Sequence, residues 1–158
     1  AYCAELVARL VGDRDGSAFL FAQFLAALEA LEQGKDEQIV ARLFELRMLD
    51  EAGYALSLER CASCGGEADQ PVLHPASGGS LCSACSRPVR GGLMPVSDKS
   101  FRLLKLMQKL DLRRLGQVQV SPDTRRELGR VMREFMDWHV PHRWKTRSFI
   151  KQMEKYEL

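Results

Sequence analysis

A mainly α fold, a helical bundle interrupted by a small irregular module, is what the sequence predicts. Three observations carry the prediction. Apolar residues recur with the 3.6-residue helical period through most of residues 1–56 and 96–158. Capping residues stand where those periodic stretches begin. Between them the period disappears, and Gly, Pro, Ser and Cys gather instead. At 158 residues, with 46% hydrophobic and 28% charged, the chain is long enough to bury one core and too apolar for disorder.

The elements follow in order. Leu6, Leu10 and Val11 mark a first short helix. A second is expected from about Ser17, a plausible N-cap, to Gly34, with Phe21, Phe24, Leu25, Leu28 and Leu31 on one stripe expected to face the core. A third covers about Glu37 to Ala52 through Ile39, Val40, Leu43, Phe44 and Leu46, with Gly53 at the C′ position. From Tyr54 to Pro95 there is no helical period, and the stretch is too long for an ordinary connection, so something other than a hydrophobic core is expected to order it. Helix resumes after Ser97, an N-cap, with Phe101, Leu103, Leu104, Met107 and Leu110. In "VSPDTRREL", Ser121 caps, Pro122 takes N1 and Asp123 sits in the first turn. That helix turns Leu128, Val131, Met132, Phe135 and His139 inward and should end near Pro141. A last amphipathic piece is expected over about Lys145 to Tyr156. The expected organisation is therefore a first helical part over 1–56, an inserted module over 57–95, and a second helical part over 96–158.

The module holds four of the five cysteines. Cys61–Cys64 and Cys82–Cys85 are C-x-x-C pairs with seventeen residues between them, inside the spacing window of a four-thiolate zinc site. A two-residue gap lets one tight turn aim two sulfurs at one ion, and two such knuckles complete a tetrahedron. Gly65 suits the reversal at the first knuckle, and Gly78-Gly79 reads as a hairpin turn feeding the second. A thioredoxin-like redox pair needs a strand-then-helix context that is missing, and paired disulfides suit a different compartment. A catalytic zinc keeps an open position, which four cysteines do not leave. The H-x-E…P-C-x-x-C pattern of zinc deaminases fails too, since Pro75-Ala76 follow His74 and no proline precedes Cys82. His74 could stand in for a cysteine but reads better as a turn residue. The module is accordingly expected to be a small four-cysteine zinc finger, zinc-ribbon-like, binding one structural Zn2+. Cys3 stands alone on a helix as a partly buried small side chain.

No apolar run approaches the roughly 18 residues of a membrane span. Glu5 and Arg9 interrupt the first apolar segment, so it is not a signal peptide, and a reducing, cytoplasmic setting is expected. The net charge of +2 is unevenly spread. Residues 1–60 hold 6 Lys and Arg against 11 Asp and Glu, whereas residues 97–158 hold 15 against 8. A basic C-terminal half points to a polyanion partner or to a merely solvated helix surface. Arg126, Arg130 and Arg133 fall on one helical face, opposite the Leu128–Val131–Phe135 stripe. "HRWKTRSF" sets His142, Arg143, Lys145 and Arg147 around Trp144, with Phe149 behind. Such a cluster can neutralise phosphates while an exposed Trp stacks on a base; equally, Trp144 and Phe149 can be core anchors. Base-reading modules are missing, so sequence-specific recognition is not expected; phosphate loops and nucleophile elbows are missing too, and the three histidines stand with no carboxylate or serine in a familiar arrangement.

The order of signals is more specific than any one of them. "LFELRMLDEAGYALSLERCASCGG", then "GGSLCSAC", then a helix, then "RRELGRVMREFMDWHVPHRWKTRSFI" resembles the C-terminal part of the bacterial DNA repair RecO family across essentially the whole chain. The resemblance rests on Phe44-Glu45-Leu46, on Gly53-Tyr54 leading into the first C-x-x-C-G, and on Lys145-Thr146-Arg147-Ser148. It implies a mediator of recombinational repair that binds single- and double-stranded DNA and anneals complementary strands. With RecR, such proteins help load RecA onto strands coated by single-stranded-DNA-binding protein, whose acidic C-terminal tail docks on the helical domain. It further implies a bacterial, nucleoid-associated location and a structural zinc, although members differ in keeping all four cysteines. Family members begin with an OB-fold domain, and this sequence starts directly at the helical region, so a fragment is expected. The alternative is a zinc-stabilised protein-interaction adaptor without DNA binding of its own, and a thiol redox switch is the third reading.

Overall fold

A computed structural model describes residues 2–11 and 18–140. Ser17 and the whole segment from Pro141 onward, including the helix expected over Lys145 to Tyr156, lie outside the described residues. Among the described residues, five helices longer than two turns build the bundle: α1 (Tyr2–Val11), α2 (Ala18–Glu32), α3 (Glu37–Glu51), α5 (Asp98–Lys109) and α6 (Pro122–His139). The one-turn helix α4 (Ser83–Ser86) belongs to the inserted module, together with β1 (Val72–His74), β2 (Gly79–Ser80) and β3 (Met94–Pro95). The three strands form an antiparallel sheet in the order β2-β1-β3, with Leu73 opposite both Ser80 and Met94. The mainly α class with a cysteine-bearing insert is therefore what the chain adopts.

Helix α3 is the centre, touching α1, α2, α5 and α6. It can occupy that place because it is apolar on nearly every side: Ile39, Val40, Leu43, Phe44, Leu46, Met48 and Leu49 are all buried. The buried charge on this helix is Glu45, which accepts a hydrogen bond from the Tyr2 hydroxyl of α1 and lies 3.0 Å from the Arg42 guanidinium. A carboxylate in that position is tolerable only with such partners. Asp36 caps α3, accepting from the backbone N–H groups of Gln38 and Ile39. Ser97 and Ser121 cap α5 and α6, accepting from the N–H of Ser100 and Thr124. Arg47 of α3 donates to the carbonyl of Leu110 at 2.6 Å and so satisfies the open end of α5.

Two expectations need correction. The stripe Phe21–Leu25–Leu28–Leu31 does not face the core: Phe21 is 63% exposed, and Leu25, Leu28 and Leu31 are also exposed, with only Phe24 packed against the core cluster. The buried face of α2 is instead Leu20, Ala26, Ala27 and Ala30. Alanines let α2 lie close on α3, and close approach on that side turns the large residues outward. The second correction concerns the insert. It is not held by cysteines alone, because Leu58, Leu73 and Met94 join the same apolar cluster as the bundle. Gln108 of α5 donates to the Leu56 carbonyl at 2.6 Å, and Lys105 and Lys109 pair with Glu59.

Candidate metal centre and its surroundings

The Cys61 knuckle is a tight backbone reversal. Gly65 N–H donates to the Cys61 carbonyl, Cys61 N–H donates to the Gly66 carbonyl, and Gly65 takes φ +72°, where a side chain would be strained. The second knuckle is the N-terminus of α4: the Cys82 sulfur accepts from Cys85 N–H at 3.4 Å, and Ser86 N–H donates to the Cys82 carbonyl. Asp69 ties the knuckles together, taking the backbone N–H of Ser83 on one oxygen at 2.8 Å and its hydroxyl on the other at 2.6 Å. Gln70 adds a bond to Ser86 Oγ at 2.8 Å.

These turns bring the four sulfurs of Cys61, Cys64, Cys82 and Cys85 within 4.8 Å of one another, and none of the cysteines is in a disulfide. Cys64 and Cys82 stand 3.9 Å apart. A regular tetrahedron with metal–sulfur bonds of about 2.3 Å places its sulfurs about 3.8 Å apart, so the donor set fits one tetrahedral thiolate-bound ion. Burial opposes ionisation of Cys61, but backbone N–H groups of Cys64, Cys82 and Ser63 outweigh it and bring the thiol down to about 6. The neighbouring sulfurs of Cys82 and Cys64 push Cys85 the other way, to about 12. Four sulfurs this close compete for charge, and a dication resolves the competition. His74 is no part of the cluster; its Nδ1 meets Ser77 Oγ at 2.7 Å in the turn after β1. Cys3 is half-buried, and burial, with Glu45 nearby, holds its thiol up at about 11.

Ser57, the first residue of the insert, is joined to β2 and the turn before it through the backbone. Ser80 N–H donates to the Ser57 carbonyl and Ser57 N–H to the Gly78 carbonyl. A Cβ at Gly79 would lie 2.2 Å from the Ser57 oxygen, so this crossing requires glycine. On the other side, Tyr54 stacks on His139 of α6 at 4.6 Å between ring centroids.

Of the basic residues expected to matter, Arg126, Arg130 and Arg133 all lie exposed along α6. Arg126 is paired with Asp123, and Arg130 donates to the Pro95 carbonyl at 3.2 Å. Arg143, Lys145, Arg147 and Trp144 lie outside the described residues. Sequence reasoning passed over Trp138, which α6 leaves 60% exposed, and over the pairing of Tyr54 with His139. Spacing alone hid the exposure of Trp138, since it continues the Leu128–Val131–Phe135 stripe seven residues after Val131; the stacked pair joins residues too distant in sequence for any local pattern. Among the described residues no helix is long and apolar enough to cross a membrane.

The family model described as "Recombination protein O C terminal" matches residues 1–148. The chain is 34% identical over 98% of its length to a protein named DNA repair protein RecO from Shouchella clausii, and 31% identical over 98% to one of that name from Bacillus pumilus, covering 60% of each. A third, from Roseiflexus, is 35% identical over 85% of this chain and 48% of its own length. The chain thus spans about 60% or less of these relatives. It belongs to the RecO family, matching the C-terminal region that defines the family model.

Proposed function

We propose that this chain is the helical and metal-binding part of a non-enzymatic mediator of DNA repair and homologous recombination. In this reading it binds single- and double-stranded DNA and takes part in strand annealing. Together with a RecR-like protein, it serves loading of RecA onto DNA coated by single-stranded-DNA-binding protein, whose acidic tail it also engages. The observation that carries the proposal is the family match over residues 1–148, made by a chain whose last 62 residues hold 15 Lys and Arg against 8 Asp and Glu. Arg126, Arg130 and Arg133 on the exposed face of α6, with Arg143, Lys145 and Arg147 beyond it, are the groups we assign to phosphates or acidic peptide. Cys61, Cys64, Cys82 and Cys85 hold one Zn2+ in a closed shell, so the ion stabilises the insert and offers no position to a substrate.

A parallel titration tests this. Fluorescence anisotropy with labelled single-stranded DNA, duplex DNA and an acidic tail peptide, each at two salt concentrations, should show binding that weakens with salt. Absence of salt-dependent binding to all three abandons the mediator reading for this chain. Two observations favour the adaptor alternative: Asp123 already neutralises Arg126, and α2 exposes Phe21, Leu25 and Leu28. Peptide or protein binding with no DNA binding would decide for it.

A further inference from the structure

Between the end of α6 and the cysteine-bearing insert runs an open groove of about 430 Å³, within the roughly 300–1,000 Å³ of ordinary ligand clefts. Its most prominent feature is an array of three rings that runs from the core to the surface. Phe135 is fully buried, and His139 lies 6.3 Å from it with the rings 27° apart; Tyr54 follows 4.6 Å further on at 25°. Tyr54 is 46% exposed and lines the groove, so the array ends in an aromatic surface open to solvent.

That surface is held in place before any ligand arrives. Tyr54 N–H donates to the Leu49 carbonyl at 2.7 Å, closing the end of α3 just after Gly53 at φ +83°. His139 is held behind it by packing on Phe135, on a helix that also touches the Pro75–Ser77 turn. The His139 Nε2 atom is buried with no partner among the described residues. Across the groove, Arg60 is exposed and spends one N–H on the Gly65 carbonyl at 3.2 Å, leaving most of its five donors for a ligand. Gly53, Gly65 and Gly78 contribute lining without side chains, so a flat group can come close to the backbone.

A preformed aromatic face, an exposed guanidinium across from it and low walls match one chemical class, a planar heterocycle carrying a phosphate. We propose that this groove is a subsite for one unpaired nucleobase of a single strand: the base stacks on Tyr54, His139 backs the ring, and Arg60 meets the flanking phosphate. The proposal rests on the DNA-binding reading above and gives it a location away from the arginine face of α6. Stacking on an aromatic side chain is tolerant of base identity, so the subsite contributes affinity for unpaired strands without reading sequence.

The test uses the whole chain with its metal. Labelled oligo(dT) is titrated against the unchanged chain and against Tyr54→Ala, Tyr54→Phe and Arg60→Gln, with helicity and zinc content checked for each. Tyr54→Ala should weaken binding roughly 5- to 100-fold, and Tyr54→Phe, which keeps the ring, should stay within about twofold. Arg60→Gln should reduce the slope of log affinity against log salt by about 0.7. An oligonucleotide bearing 5-iododeoxyuridine should crosslink to Tyr54 in the unchanged chain, which decides the matter if Tyr54→Ala fails to fold. Thymidine monophosphate at millimolar concentration should compete weakly; if it competes as strongly as the oligonucleotide, the site is for free nucleotides and the proposal falls. Strong binding that is indifferent to Tyr54→Ala, with crosslinks elsewhere, overturns the subsite and leaves DNA binding standing. No binding by the unchanged chain overturns both, and displacement from Tyr54 by an acidic peptide alone assigns the groove to a protein partner.

Discussion

Asp36 and Arg125 meet in a two-pronged ion pair, Oδ1 to Nη1 and Oδ2 to Nη2, each at 2.7 Å. The same carboxylate caps α3, so one side chain both ends the α2–α3 turn and ties α6 to the start of the central helix. The hydrogen bond from Arg125, outweighing partial burial, holds the Asp36 carboxyl below its ordinary value.

Replacing Asp36 separates its two roles. Asn keeps a capping oxygen and loses the charge, so Asp36→Asn should cost about 1 kcal/mol, the upper range for a partly exposed pair. Asp36→Ala should cost about 1 kcal/mol more through the lost cap. A folded value below the unfolded one means that the unfolded chain binds the proton more readily. The contribution is therefore complete above the ordinary aspartate value of about 3.9 and lost as pH falls through the lower folded value. Urea midpoints at neutral pH and a carboxyl-carbon NMR titration check both claims. A titration midpoint at or above the ordinary value would remove the pair from the account.

Gly79 makes a steric prediction. A methyl group there would stand 2.2 Å and 2.7 Å from the Ser57 carbonyl oxygen and amide nitrogen, both backbone and unable to swing aside. Gly79→Ala should destabilise by about 1–3 kcal/mol and loosen β2 from the Ser57 backbone. Gly78→Ala is the companion: φ is +83° but nothing lies within 4 Å, so only backbone strain of about 1–2 kcal/mol applies. Backbone amide exchange at Ser57 and Ser80 should rise in Gly79→Ala and stay near native in Gly78→Ala. The opposite ranking would mean that the Ser57–Gly79 crossing is misplaced.

What could be read from the sequence was local. Ser97, Ser121 and Pro122 announce their helices through bonds that span three residues, and C-x-x-C encodes its geometry within one turn. What could not be read was which of two apolar faces turns inward. On α2 the period fits Phe21–Leu25–Leu28 as well as it fits the alanines, and size argued for the wrong one; closeness to α3 decides, which is a property of two helices. Tyr54 and His139 are 85 residues apart, and neither announces the other. The leucines of the insert were equally opaque, because Leu58 and Leu73 carry no period and find the core only once the strands pair.

Metal removal has a graded expectation. The purified chain should carry about one zinc, and Cys82→Ser or Cys61→Ser should abolish tight binding. A strong chelator should expose the knuckles at Ala62–Asp69 and Ser83–Val89 to protease while most helical circular dichroism persists, because α2, α3, α5 and α6 share a core that the sulfurs do not touch. A metal-free chain that resists protease as well as the loaded one would show that the apolar contacts of the insert suffice. Disulfide turnover without zinc would revive the redox reading.

The two faces of α2 give the most direct check on how the helix is seated. Ala27 is fully buried beside Ala26 and Ala30, so Ala27→Leu forces α2 away from α3 and should cost about 1–3 kcal/mol. Phe21→Ser and Leu28→Gln remove large side chains from the exposed side and should change stability by no more than about 0.5 kcal/mol. Sequence expectation alone would have ranked these the other way, since deleting a core phenylalanine costs about 3–5 kcal/mol. Urea midpoints measured at low protein concentration separate the two, because folding then does not depend on whatever the exposed face can bind. If Phe21→Ser proves as damaging as a core deletion, α2 is rotated from the orientation described, and its alanines face solvent.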